Sequence, residues 1–368
     1  MHCVRALLCV LAAACGGDAP TQPTPPALVV EATGRAERGL VLVLSARTAG
    51  SGGSLSGVTW TVEPAGAASV DADGHAQLLR EGTVVFRATS GESTGTLSVD
   101  VALPPFILVE ALSGEGTRTL FQVRLDGTEL SAVAVGAGEV RGAAMARGAL
   151  VFVGYRTGNA ELYRLPAGGG AVERLTTTAA AEGQPALSAD GTRLAFTRVV
   201  GGVPKLHTAR ADAGDAARPA PAHGYAGAIE SSPTWSPAGD RVAFMSTATG
   251  RPGLYIVNVA TGSVVTLRAD EASYGDPAWS PDGRSIAYAM DDGVQTDLWI
   301  HDVATGQATR LTNRPASDGR PVWLADGRLL FTTRTGATER LEWLDLSEPA
   351  TLHPVPVAVA VFGSAAVR

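Results

Sequence analysis

A proline-centred segment that returns four times constrains this chain more than any other feature. QPALSADGTRLAFTR, SPTWSPAGDRVAFMS, DPAWSPDGRSIAYAM and RPVWLADGRLLFTTR align on Pro185, Pro233, Pro277 and Pro321, spaced 48, 44 and 44 residues apart. A weaker copy, VRGAAMARGALVFVGY, starts at Val140 and lacks the Pro and the Asp. Repetition at this period marks a unit that cannot bury both of its faces alone and must stack on its own copies.

Each copy reads as four strands, a to d. Strand a carries P-x-W-S, a turn of the SPDG type follows, and strand b has the pattern I-A-F. Strand c opens on Leu162-Tyr163, Leu206-His207, Leu254-Tyr255, Leu298-Trp299 or Leu341-Glu342, and strand d on wording such as AVERLT or ATRLT. A four-stranded unit of about 40 to 45 residues is a propeller blade. Trp235, Trp279 and Trp323 recur at one place, as expected of large flat side chains that fill the gap between neighbouring sheets. In the turn, Ser or Asp bonds backbone N–H groups, Pro sets the first corner and Gly takes the left-handed position. Asp190, Asp282 and Asp326 are therefore read as turn residues without a catalytic role.

The ends of the repeat array give the blade count. Before Val140 lies PFILVEALSGEGTRTLFQVRLDGTELSAVAV, which supplies strands b, c and d but no strand a. After the last strand d an orphan segment remains, from Val357 to Val361 and on to Val367. A ring must close on itself, so the C-terminal segment is expected to become strand a of the blade that begins at Phe106. Six blades result, with c-strand leucines at 120, 162, 206, 254, 298 and 341.

These repeats resemble those of TolB-like β-propellers, and the resemblance covers about residues 105–368. It implies an exported six-bladed propeller, and it is nearly silent on activity, because one fold hosts many functions. The fold class expected is all-β: a six-bladed β-propeller with a small N-terminal immunoglobulin-like β-sandwich.

The sandwich is expected over residues 28–103. LVVEA, GLVLVLSARTA, VTWTVEP, AQLL, GTVVFRAT and GTLSVDVAL are short alternating strands between Gly-rich turns. Their wording resembles bacterial immunoglobulin-like domains of group 2, with Trp60 directed at the core. DADG, Asp71 to Gly74, is read as a plain turn, since one short turn supplies too few oxygens for a calcium site.

Residues 1–14, MHCVRALLCVLAAA, have one early Arg, a short apolar run and small residues at the end, the pattern of a secretory signal. Nine apolar residues make a helix of only about 14 Å, too short to cross a hydrocarbon core of about 30 Å. LAAAC resembles a bacterial lipobox, which implies acylation of Cys15 and, with Gly16 after it, sorting to an outer membrane. Residues 15–27 continue as a lipidated Cys and a tether with four prolines between Ala19 and Ala27, which holds the chain extended. The three cysteines are Cys3, Cys9 and Cys15, so the folded part has no disulfide framework or thiolate metal site.

A net charge of −7 with no basic cluster argues against a nucleic-acid partner, and leaves the lipid as the only membrane contact. Propeller ligands enter at the mouth of the central channel, so polar residues just before each strand a are the binding candidates: Glu182, Gln184, Tyr225, Glu230, Tyr274, Asp276, Asp318 and Arg320. As a ring they suit a peptide, a protein loop or a cation. No G-x-S-x-G elbow is present, and His75, His207, His223, His301 and His353 lack ligand-like spacing, so no catalytic residue, metal or cofactor is assigned. The sequence points to a cell-envelope lipoprotein whose propeller binds a protein or peptide. The alternative is a surface propeller that binds glycans or acts on them with metal assistance.

Overall fold

The computed structural model describes residues 25–214, 217–219, 227–270, 272–357 and 361–367. The signal segment, Cys15, most of the tether, His223 and Tyr225 lie outside them. The chain divides into two compact units, Met1–Pro104 and Pro105–Arg368.

The described part of the first unit has seven strands: β1 (Leu28–Thr33), β2 (Val41–Thr48), β3 (Thr59–Glu63), β4 (Ala68–Val70), β5 (His75–Leu78), β6 (Gly82–Ser90) and β7 (Ser93–Val101). They form one sheet in the order β1-β2-β5-β4 and a second in the order β3-β6-β7. With strands lettered A to G, the two sheets read ABED and CFG, the order that constant-type immunoglobulin sandwiches have. Alternation explains the core. Leu42, Leu44, Val84 and Phe86 point inward from opposite sheets into one apolar cluster, while their strand neighbours stay in water. Trp60 packs against this cluster half-buried, at its edge.

The second unit consists, among the described residues, of six four-stranded sheets. The second blade runs β11 (Val140–Ala146), β12 (Ala149–Gly154), β13 (Glu161–Leu165), β14 (Glu173–Arg174), and the third β15 (Glu182–Leu187), β16 (Arg193–Val200), β17 (Val203–Arg210), β18 (Arg218–Pro219). The fourth is β19 (Glu230–Trp235), β20 (Arg241–Ser246), β21 (Gly253–Asn258), β22 (Val264–Arg268). The fifth is β23 (Ser273–Trp279), β24 (Ser285–Asp291), β25 (Thr296–Asp302), β26 (Ala308–Arg310), and the sixth β27 (Ser317–Trp323), β28 (Arg328–Thr335), β29 (Thr338–Asp345), β30 (Leu352–Pro354). The first blade is discontinuous in sequence. β8 (Phe106–Leu112), β9 (Arg118–Arg124) and β10 (Ser131–Ala132) are joined on the free side of β8 by β31 (Val361–Val367).

Stacking of sheet on sheet shows in the burial of the middle strands. Every residue of β12 is buried, as are five of the six in β21. Each apolar cluster is shared by two consecutive blades. Phe196 of the third blade packs with Val151 and Val153 of the second, and Trp279 and Tyr288 of the fifth with Met245 and Ile256 of the fourth. Indole groups tie blades together by hydrogen bonds as well. Trp235 Nε1 donates to the Ala186 carbonyl at 3.1 Å, and Trp323 Nε1 to that of Ala278 at 3.0 Å.

The SPDG-type turns join strands a and b. Ser280 Oγ donates to Asp282 Oδ1 at 2.6 Å, the Arg284 N–H donates to the same carboxylate oxygen, and Ser280 Oγ accepts the Ser285 N–H. Gly283 closes the turn at φ 71°. Ser188 and Asp190 repeat the arrangement, and their bonds hold the Asp190 carboxyl down at about 2. In the sixth blade Leu324 stands where the third, fourth and fifth have Ser, and Asp326 accepts from Arg328 instead.

Candidate functional site

Strand register fixes which loops share a face. Glu230, at the start of β19, pairs with Ser246 at the end of β20, and Ser246 with Gly253 at the start of β21. The b–c hairpins and the connections into each strand a therefore lie on one face, the mouth, and the SPDG turns on the other.

Proline shapes the inner strands where they line the channel. Having no N–H for the ladder, Pro within a sheet is confined to edges and bulges. The registers jump between Gly183 and Ala186, Ser231 and Thr234, Gly275 and Ala278, and Gly319 and Val322, each time across the Pro. The residue before the Pro takes a left-handed backbone in all four: Gln184 at φ 50°, Ser232 at 48°, Asp276 at 49° and Arg320 at 50°. Non-glycine residues are uncommon there, and a recurrent outlier is a constraint the fold maintains.

These four residues bond one to the next around the channel. The Ser232 N–H donates to Gln184 Oε1 at 3.0 Å, Ser232 Oγ donates to Asp276 Oδ1 at 3.4 Å, and Asp276 accepts the Arg320 N–H. The Gln184 and Asp276 side chains thus satisfy the backbone amide that the next blade's bulge leaves open, and Asp276 also accepts the hydroxyl on the preceding one. In the first and second blades Glu110 Oε2 does this for the Gly142 N–H at 3.0 Å, from strand b.

Two positions earlier, the other sequence-derived candidates are buried beneath the rim instead of standing on it. Glu182 accepts from Arg198 Nε at 2.8 Å and from Thr178 Oγ1 at 2.7 Å. Glu230 accepts the Leu206 N–H at 2.7 Å, and burial pushes its carboxyl up. Tyr274 donates to Asp270, and burial and that bond push its hydroxyl up. Asp318 is fully buried and holds Arg314, whose guanidinium also reaches Glu342 at 2.7 Å. These four tie the head of strand a to its own blade or to the strands beside it.

Gln184, Asp276 and Arg320 keep access to the channel. Between the fifth and sixth blades a cleft of about 330 Å³ opens on the mouth, lined by Asp276, Asp291, Arg320, Arg334 and Glu339 among others. Desolvation pushes the Asp276 carboxyl up, against the opposing influence of Arg320 and its two hydrogen bonds. The mouth also carries exposed apolar side chains, one on each of five successive blades. Of the exposed large apolar side chains in the described part of the propeller, Leu112, Tyr155, Val200 and Val294 lie at b–c hairpins and Ile229 just before a strand a, with only Val265 elsewhere. Val294 is 88% exposed.

Among the described residues the one cluster with metal-ligand geometry is Asp71, Asp73 and His75, exposed on the sandwich turn. There Asp71 accepts the N–H groups of Asp73 and His75 and bonds the imidazole at 3.0 Å, as a turn-capping residue does. His207 and His301 are buried on strands c, the first stacked on Phe196 at 5.9 Å, and His353 stacks on Trp343 at 3.9 Å.

The sequence reading missed a second kind of buried cluster. Asp297 accepts from Arg310 and from Thr312 Oγ1, and Thr312 Oγ1 accepts the Leu298 N–H. In the second blade Glu161, Arg174, Thr176 and Leu162 reproduce it. Its signal was in plain view, as the R-L-T tripeptide of strand d.

Residues 224–341 match the family model for the TolB beta propeller domain. The propeller is TolB-like. TolB from Acinetobacter baumannii superposes with a TM-score of 0.65 at 17% identity, over 84% of this chain and 83% of that one. A chain of a nidogen/laminin complex follows at 0.55 and 12%, over 71% and 98%. An oligogalacturonate lyase in complex with manganese stands at 0.50 and 14%, over 86% and 85%. At such identities the likeness is one of fold. No curated protein sequence matches the chain.

Proposed function

We propose that this chain is an exported, lipid-anchored binding protein of the cell envelope, whose TolB-like propeller docks a polypeptide partner on its mouth without chemistry of its own. The observation that carries the reading is the gathering of Leu112, Tyr155, Val200, Ile229 and Val294 on one face. Exposed apolar side chains scattered singly need no explanation, but five on one face, one to each of five successive blades, and a single one elsewhere in the described propeller, fit an interaction surface. Cys15 would carry the lipid, and the proline-rich tether would hold the folded units away from an outer membrane.

A metal-assisted, glycan-active site gains no comparable support. The described histidines of the propeller are spent inside blades, and the described metal-ligand cluster sits on the sandwich.

A photo-crosslinking residue placed at Val294 in the intact lipoprotein, in the cells that make it, tests the proposal. A discrete protein adduct is expected there, and none from the same residue placed at Gly239 in the SPDG-type turn on the opposite face. No adduct at Val294, Val200 or Leu112, or equal labelling from both faces, would overturn the docking function.

A further inference from the structure

The cleft between the fifth and sixth blades has a chemistry of its own. Its lining includes four carboxylates, Asp276, Asp291, Asp318 and Glu339, against two guanidiniums, Arg320 and Arg334. Asp318 is engaged by Arg314 at 2.8 Å, and Glu339 by Arg320 at 2.6 Å. The guanidinium on the bulge next to Asp276 therefore pairs with Glu339 on β29.

That leaves the Asp276 carboxylate with a 3.4 Å hydroxyl contact, one backbone N–H and the field of an Arg320 guanidinium that is itself bonded to Glu339. It is half-buried and lines the cleft, and burial penalises its charge. Its left-handed backbone fixes it on the bulge facing the channel. A partly desolvated carboxylate whose nearest guanidinium is bonded to another carboxylate favours an incoming cation, because the ligand supplies charge that the shared Arg320 only partly provides.

We propose that this cleft is the anchor pocket for a cationic side chain, a lysine or arginine, of the polypeptide docked on the mouth, with Asp276 as its counter-ion. The inference rests on the mouth being a protein-docking face. A side chain is favoured over a metal ion because no three-ligand cluster is found at the cleft among the described residues, whereas a hard cation takes six or more oxygens. It is favoured over a small free amine because the apolar Val294 stands on the hairpin between Asp291 and Thr296, which line the cleft. A ligand that satisfies both is cationic at one point and apolar beside it.

The full chain, solubilised and immobilised, is used to select binders from a phage library of random dodecapeptides, and affinities of synthetic winners are measured by fluorescence anisotropy. Winners with a Lys or Arg flanked by apolar residues are expected. Affinity should fall about tenfold or more in Asp276→Asn, and equally when the peptide lysine is replaced by norleucine, which leaves the protein untouched. Asn tolerates the left-handed backbone, so Asp276→Asn keeps the bulge. Cadaverine, the free-amine probe, should compete only at concentrations far above the peptide's Kd. Winners without cationic preference, or insensitive to both changes, overturn the anchor pocket and leave the docking face standing. Cadaverine binding as tightly as the peptide overturns the polypeptide assignment. No enrichment on the full chain overturns both.

Discussion

The indole N–H of Trp235 reaches the carbonyl of Ala186 in the preceding blade at 3.1 Å, whereas the indole N–H of Trp279, one blade on, meets no acceptor. Both rings are buried to the same extent, and Trp279 lies under the Arg241 guanidinium at 5.0 Å. Replacing either Trp by Phe removes ring volume from an inter-blade core. Only Trp235→Phe also strips a carbonyl of its partner. Trp235→Phe should therefore destabilise by about 1 kcal/mol more than Trp279→Phe, measured as the difference in urea midpoints at equal slope. Equal losses would mean that the cross-blade bond contributes nothing net.

The Asp297 cluster is the most heavily bonded buried carboxylate of the fifth blade. Its side chain is 2% exposed and accepts from Arg310, Thr312 and Gln295. Asp297→Ala takes the buried acceptor from Arg310, Gln295 and the Thr312 hydroxyl, and should destabilise by about 3 kcal/mol. Thr312→Val removes the hydroxyl that accepts the buried Leu298 N–H, and should cost about 1 to 2 kcal/mol. The double variant should lose less than the sum, since both changes dismantle one cluster. Strict additivity in denaturant titrations would show the two bonds to be independent.

The propeller itself was legible because its repeat is made of residues that packing and turns demand. Pro185, Pro233, Pro277 and Pro321 mark the bulges, and Trp235, Trp279 and Trp323 mark the inter-blade gaps. The division of labour at the mouth was not legible. In a regular strand Glu182 and Gln184 share a face, as do Asp318 and Arg320, and period-two reasoning assigns them one role. The left-handed bulge residue breaks that alternation. Glu182 and Asp318 go into ion pairs within the blades, while Gln184 and Arg320 join the bonded series around the channel. Nor does a pattern of strands announce that Leu112, Val200 and Val294 share one face. That follows only from the register.

Two buried histidines and a half-buried one give stability a definite pH dependence. Burial lowers His207, His301 and His353 from the ordinary value of 6.5. The folded chain keeps these rings neutral where the unfolded chain takes up protons, so stability is full above about pH 6.5 and falls as pH drops through that value. Glu230 and Asp276, pushed up by burial, act in the opposite sense and regain stability as pH falls through their raised values. Urea midpoints should therefore decline from pH 7.5 to 5.5, and the decline should be shallower in His207→Gln/His301→Gln. A flat profile in the unmodified chain would show that these rings protonate without cost.

Closure of the ring by β31 makes the last residues indispensable to the propeller. β31 pairs antiparallel with β8 from Val361↔Ala111 to Val367↔Ile107, with two register shifts, and its neighbours around the channel are β11 and β27. Deleting residues 361–368 removes the inner strand of the first blade at one stroke. β8, buried through most of its length, then becomes an open edge with free N–H and C=O groups, and β11 and β27 each lose a neighbour. A velcro of this kind joins the first blade to the last element of the chain, so the loss is not confined to one sheet. The truncated chain should melt well below the intact one and self-associate through the exposed edge, seen as a lower Tm and higher-order species in size-exclusion chromatography. A truncation that melts and elutes like the intact protein would mean that the ring is held by stacking between blades alone, and that β31 only covers an edge.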